Sequence, residues 1–149
     1  MTVSTSTLSI RWLKPDLSEE EWEFFRHPAK QEFYRRHGIA WELIVAAFDR
    51  GALEPYPRSN RLGKLPVALS YHTFEEYSTY LARAKRGYRK SYTRMEEELH
   101  QEGTLTVNAP IILARQGEAL LFSGYRRLCL AWNHGMIPRV WLLLLPDGP

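Results

Sequence analysis

A chain of 149 residues, 44% apolar and 13% aromatic, is long enough for one domain with a sizeable core and too short for two comfortable ones. Its single cysteine, Cys129, excludes an internal disulfide framework and metal chemistry built on several thiolates. The formal charge of +3 permits a phosphate or nucleic-acid partner without demanding one.

The opening MTVSTSTLSIRWLKP holds no apolar core of secretory length, and the longest apolar run, VWLLLLP, is only as long as a strand. A cytoplasmic protein with no membrane partner is therefore expected. In chain order, LSIRWL (8–13) is an edge-strand candidate. DLSEEEWEFF sets Ser18 three residues before Glu21, the capping-box spacing, which predicts a helix from Glu19. Pro28 ends or restarts that helix, and a second helical piece runs toward Arg36 and stops at Gly38. AWELIVAAFDRG then puts Trp41, Ile44, Val45 and Phe48 on one core-facing side and closes on Gly51. From Ala52 to Lys64, prolines, glycine, serine and asparagine mark an irregular connection, read either as a functional loop or as a solvated crossing. LPVALSYH follows as a short strand candidate.

The next stretch is the most polar. Thr73 can cap a helix whose apolar stripe is Phe74, Tyr77, Leu81 and Ala84, resuming after Gly87 as Tyr88, Tyr92, Met95 and Leu99. Arg83, Lys85, Arg86, Arg89, Lys90 and Arg94 form a basic cluster with no acidic residue among them. Such a cluster suits a nucleic-acid backbone, with Tyr88 or Tyr92 available for stacking. It equally suits a solvated helix face balanced by Glu96, Glu97 and Glu98.

After Gly103 the pattern turns to strands: TLTVN and PIILAR, broken near Asn108 and Pro110, then EALLFS, a helix from Tyr125 to His134 closed by Gly135, and RVWLLLL. The fold class is α/β (α+β). Its chemical focus is Gly124-Tyr125-Arg126-Arg127, where a strand hands over to a helix. Free backbone N–H groups and the positive end of the helix dipole point outward there, and guanidinium forks match phosphate oxygens. The alternative is an arginine that caps locally or pairs with Glu118 or Asp147.

The stretch from Met95 to Leu145 resembles the N-terminal domain of ParB chromosome-partition proteins and the wider ParB/sulfiredoxin fold. The matching parts are EELHQEG, APIIL, GYRRLCLA and HGMIPRVWLL, in the family's order and spacing over about a third of the chain. The resemblance implies a ParB/sulfiredoxin-like domain over 71–149 with a small mixed sheet; residues 1–70, which match no part of the family, are expected to be a helical extension packed on it as one compact unit. It also implies a nucleotide, ATP or CTP with Mg²⁺, held by its phosphates at Gly124, Tyr125, Arg126 and Arg127, with Pro110 and Ile111 beside the base or sugar.

An NTPase, kinase or nuclease of this kind needs a carboxylate, and Glu98 and Glu102 lie on the helix that borders the site in the family. A second reading, from a different class, is a non-catalytic DNA-binding or protein-interaction module of plasmid or phage type that uses the Arg83 to Arg94 cluster. Tyr125 stands where partition proteins carry Glu and where sulfiredoxins carry their reactive cysteine. Neither a CTP-gated DNA clamp nor sulfinic-acid reduction is therefore expected, and Cys129, one turn further on, reads as a small buried residue. Among the histidines, His72 with Glu76, and His27 with His37, form no recognised metal set, so no metal ligand is assigned.

Overall fold

The computed structural model describes residues 8–56, 67–69, 90–115 and 118–146. The chain order is β1 (Ser9–Leu13), α1 (Leu17–Phe25), α2 (Pro28–Arg36), α3 (Trp41–Phe48), β2 (Ala52–Pro55), β3 (Val67–Leu69), α4 (Lys90–Glu102), β4 (Thr104–Asn108), β5 (Ile111–Arg115), β6 (Glu118–Ser123), α5 (Tyr125–Asn133) and β7 (Arg139–Leu144). This is an α+β fold. No helix among the described residues is long and apolar enough to cross a membrane.

Five strands form a mixed sheet in the order β2-β7-β5-β6-β3. β5 and β6 are an antiparallel hairpin, β7 runs parallel to β5, β2 is antiparallel on one edge, and β3 is parallel to β6 on the other. Helices cover both faces, which is why the inner strands read as unbroken apolar runs rather than alternating ones. Ile111, Leu113, Leu120, Phe122, Trp141 and Leu143 face the layer made by α1, α2 and α3, with Phe24, Tyr34, Trp41, Ile44 and Phe48 opposite them. One residue along in each strand, Ile112, Leu121 and Val140 face the other way and meet Leu128 and Trp132 of α5. A parallel two-stranded ribbon of β1 and β4, paired from Ser9 with Thr104 to Leu13 with Asn108, packs with α4 and the back of α5 through Leu8, Tyr92, Leu99, Leu105, Cys129 and Leu130. Cys129 is buried, as read.

Four details differ from the sequence reading. α1 begins at Leu17 because Asp16, not Ser18, is its cap: the Asp16 carboxylate accepts from the Ser18 and Glu19 amides. Val45 is 41% exposed, since the buried stripe of α3 is Trp41, Ile44, Ala47 and Phe48. Ala52–Pro55 is a strand rather than irregular chain, and Pro55 is tolerated because β2 is an edge. The extension expected to be helical contributes strands to both sheets: β1, where an edge strand was expected at 8–13, and β2. The expected helix at Thr73 and the residues Arg83, Lys85, Arg86 and Arg89 lie outside the described residues.

Candidate functional site at the amino end of α5

β6 runs out at Ser123, and Gly124 turns the chain into α5 with φ of 98° and ψ of 21°, a left-handed conformation that glycine adopts without cost. The turn sits against Pro110, so closely that a Cβ on Gly124 would lie 2.5 Å from the proline Cβ and 2.7 Å from its Cα. Among the described residues no side chain caps α5, and its first turn holds no acidic residue. The amides of that turn have no partner within the helix, and the dipole end stays uncompensated by protein carboxylates of α5 itself.

What surrounds the turn comes from the first helices. Lys30 of α2 is only 4% exposed, and its Nζ stands 4.1 Å above the Phe122 ring centroid. Burial pulls its amine down to about 8, against the opposing pull of Glu20 and Glu23. Glu20 of α1 is pushed up by burial, while the Arg127 and Lys30 charges and the nearby Ser123 hydroxyl work the other way. Burial likewise lowers Arg127, with Glu20 supporting its charge. Arg127 donates through Nη1 to the Asn108 carbonyl at the end of β4, which turns the guanidinium back across the turn. Among the described residues, two buried polar atoms here, Glu20 Oε1 and Ser123 Oγ, have no partner beyond the bond that the Ser123 hydroxyl can make to the Glu20 carboxyl. Buried acceptors and hydroxyls in that state call for water or a ligand.

The arrangement thus gathers an uncapped helix start, two desolvated cations, a hydroxyl and a carboxyl held toward its neutral form. It can bind an anion, and Glu20 can take a proton or share a metal ion brought with that anion. A separate groove, lined by the rings of Phe24, Phe25, Pro28 and Trp41 and by Gln31, Glu32, Arg35 and Glu42, contains neither Glu20 nor Ser123.

Of the residues picked from sequence, Gly124, Arg126, Arg127 and Pro110 come together at the turn. Tyr125 is half-buried and packs between two core clusters. Ile111 pairs with Ser123 across the hairpin, but its side chain belongs to the core. Glu98 and Glu102 are exposed on α4, as is Arg94. Lys90 begins that helix. Among the described residues the partners of Arg127 are Asn108 and Glu20; Asp147 and the Glu118 side chain, the local alternatives, lie outside them.

Glu20, Lys30 and Ser123 were missed. Each helix residue carried a signal: Glu20 lies four before Phe24 and Lys30 four before Tyr34, so both charges occupy the buried stripe of an amphipathic helix.

The Lys30 environment makes a measurable prediction. Its folded pKa is lower than in the unfolded chain, so above about pH 8 the unfolded state binds the extra proton and stability rises with pH. Urea unfolding at pH 7 and pH 9.5 is expected to show a gain of about 2 kcal/mol from this group, at 1.36 kcal/mol per pH unit. Lys30→Met should abolish the gain. An unchanged pH dependence in that variant would mean the amine is not buried as described.

No protein-family model, curated protein or solved structure matches this chain.

Proposed function

We propose that the protein binds a nucleotide through its phosphates at the amino end of α5, and that phosphoryl transfer or hydrolysis is the reaction class this site suits. The observation that carries the reading is the gathering of the buried charges Lys30, Arg127 and Glu20 with the Ser123 hydroxyl beside an uncapped helix start, where Glu20 and Ser123 have only each other as side-chain hydrogen-bond partners among the described residues. Phosphate oxygens would accept from the turn amides, Ser123, Lys30 and the two guanidinium groups. Glu20, rather than Glu98 or Glu102, is the carboxyl placed to accept a proton from an attacking hydroxyl or water, or to share Mg²⁺ with the phosphates. The order of strand, glycine turn and helix, and the mixed sheet around it, support a ParB/sulfiredoxin-like arrangement, with α1 and α2 supplying residues from outside the segment that carries the resemblance.

Calorimetric titration with ATP, ADP, CTP and GTP, each with and without Mg²⁺, tests this directly. One nucleotide is expected to bind in the micromolar range, at least about tenfold more weakly to Arg126→Ala, a loss worth about 1.4 kcal/mol. A pocketed nucleotide should lose little affinity as salt rises. If a folded protein binds none of the four but retains duplex DNA with steep salt dependence, the site reading fails and the Arg83 to Arg94 cluster becomes the contact surface.

A further inference from the structure

At the opposite end of α5 lies a second cluster of chemistry-bearing side chains. Glu96 and His100 are one turn apart on α4, and His134 caps the carboxyl end of α5. Their ligand atoms all lie within 4.8 Å of one another. His134 Nε2 is 3.2 Å from His100 Nε2 and 3.5 Å from Glu96 Oε2.

The protonation chemistry of that triangle is informative. His134 Nδ1 lies 2.9 Å from the Leu130 carbonyl, which can only accept, so Nδ1 carries the proton and Nε2 of the neutral ring carries a lone pair. Nε2 faces a carboxylate oxygen at 3.5 Å, a pair of atoms that a shared proton or a bound metal ion would hold together. The second imidazole nitrogen, on His100, closes the triangle, and can donate to His134 only while it holds its own proton. A cation at the centre satisfies all three atoms at once.

Distance and field agree with this. With zinc–nitrogen bonds of about 2.0–2.1 Å, two ligands of a tetrahedral ion stand about 3.3 Å apart, the edge of the tetrahedron. The observed 3.2 and 3.5 Å separations bracket that edge. The carbonyl bond to His134 Nδ1 is the orienting contact that metal-binding histidines commonly make. His100 is in the last turn of α4 and His134 ends α5, so the negative ends of two helix dipoles meet at the site. On the same face of α4, one turn before Glu96, the buried Tyr92 hydroxyl has the Glu96 and Asn133 side chains as its hydrogen-bonding neighbours. It is placed to steady the carboxylate.

We propose that Glu96, His100 and His134 form a binding site for one divalent transition-metal ion, Zn²⁺ by ligand type, with a fourth position left for water or another ligand. The site ties α4 to the carboxyl end of α5, whose amino end holds the phosphate turn, and it stands independently of the nucleotide reading. The sequence reading assigned no metal ligand; it weighed His27, His37 and His72 and did not pair His100 with His134, 34 residues away.

The test is titration of tag-free protein with Zn²⁺ by calorimetry, together with the visible spectrum of the Co²⁺-substituted protein. One ion per chain is expected to bind in the micromolar range or tighter, with the absorption of a four-coordinate Co²⁺ centre and a rise in melting temperature. His100→Gln, at an exposed position and so safe for folding, should weaken binding at least about tenfold, and so should Glu96→Gln. Arg126→Ala and Cys129→Ser should leave it unchanged. Absence of saturable binding at about 1 mM Zn²⁺, or affinity unaltered by both ligand substitutions, would overturn the site.

Discussion

Replacing Gly124 with alanine is expected to lower stability by roughly 2–5 kcal/mol, the sum of a left-handed backbone penalty of about 1–2 kcal/mol and an overpacking cost of about 1–3 kcal/mol. The two contributions can be separated within this chain. Gly135 is also left-handed, with φ of 70°, but a Cβ there meets nothing within 4 Å among the described residues. Gly135→Ala should therefore cost about 1–2 kcal/mol, the backbone penalty alone. At Gly124 the obstacle is Pro110 backbone and ring, which cannot swing aside as a flexible side-chain tip could.

In thermal denaturation the Gly124 variant should melt roughly 6–15 °C lower and the Gly135 variant only a few degrees lower. Equal losses would mean that Pro110 does not press on the turn. The same substitution should also weaken the nucleotide binding proposed for this turn, because moving Pro110 or the turn by even a few tenths of an ångström redirects the amides of α5.

How much of this could be read from the chain depends on which interactions are local. PIIL and ALLF announced themselves as buried strands because both faces of β5 and β6 are covered, leaving no polar alternation to hide them. The Gly-Tyr-Arg-Arg turn was legible because glycine is required for a backbone angle and the arginines flank it in sequence. Local competition misled at α1, where Asp16 and Ser18 are both able caps and only the chain's approach decides between them. At Pro55 the proline suggested a loop, whereas its position on a sheet edge, a tertiary fact, makes its missing N–H harmless.

The chemistry that α1 and α2 bring to the turn was less legible. A charge on an apolar stripe is the sequence signature of Glu20 and Lys30, but the partner that makes such a charge tolerable comes from elsewhere in the fold. Lys30 is held by Phe122 and Glu20, which are 92 and 10 residues away in the chain. The Glu96, His100 and His134 triangle is hidden for the same reason. Helical spacing supplies two of its members, and only the packing of α4 against α5 supplies the third.

Phe122 is where fold and site meet, and Phe122→Ala should be among the most damaging single changes, at about 3–5 kcal/mol for a buried phenylalanine truncated to alanine. Its ring is 1% exposed and lies 5.2 Å from Tyr34, 5.9 Å from Phe24 and 6.2 Å from Trp41, so it joins β6 to α1, α2 and α3 at once. It also carries Lys30 on its face, so truncation exposes that amine to a cavity with no ring beneath it. Two consequences should appear together in urea unfolding. The midpoint should fall steeply, and the stability gain between pH 7 and pH 9.5 should shrink as water reaches Lys30 and its pKa returns toward that of a solvated lysine. Phe122→Leu, which keeps most of the volume but removes the π face, should recover much of the midpoint and leave the lysine effect only partly restored. A loss below about 1 kcal/mol in Phe122→Ala, against the range expected for such a truncation, would show that the three helices are not seated on the sheet through this ring, and the contribution of Glu20 and Lys30 to the turn would fall with it.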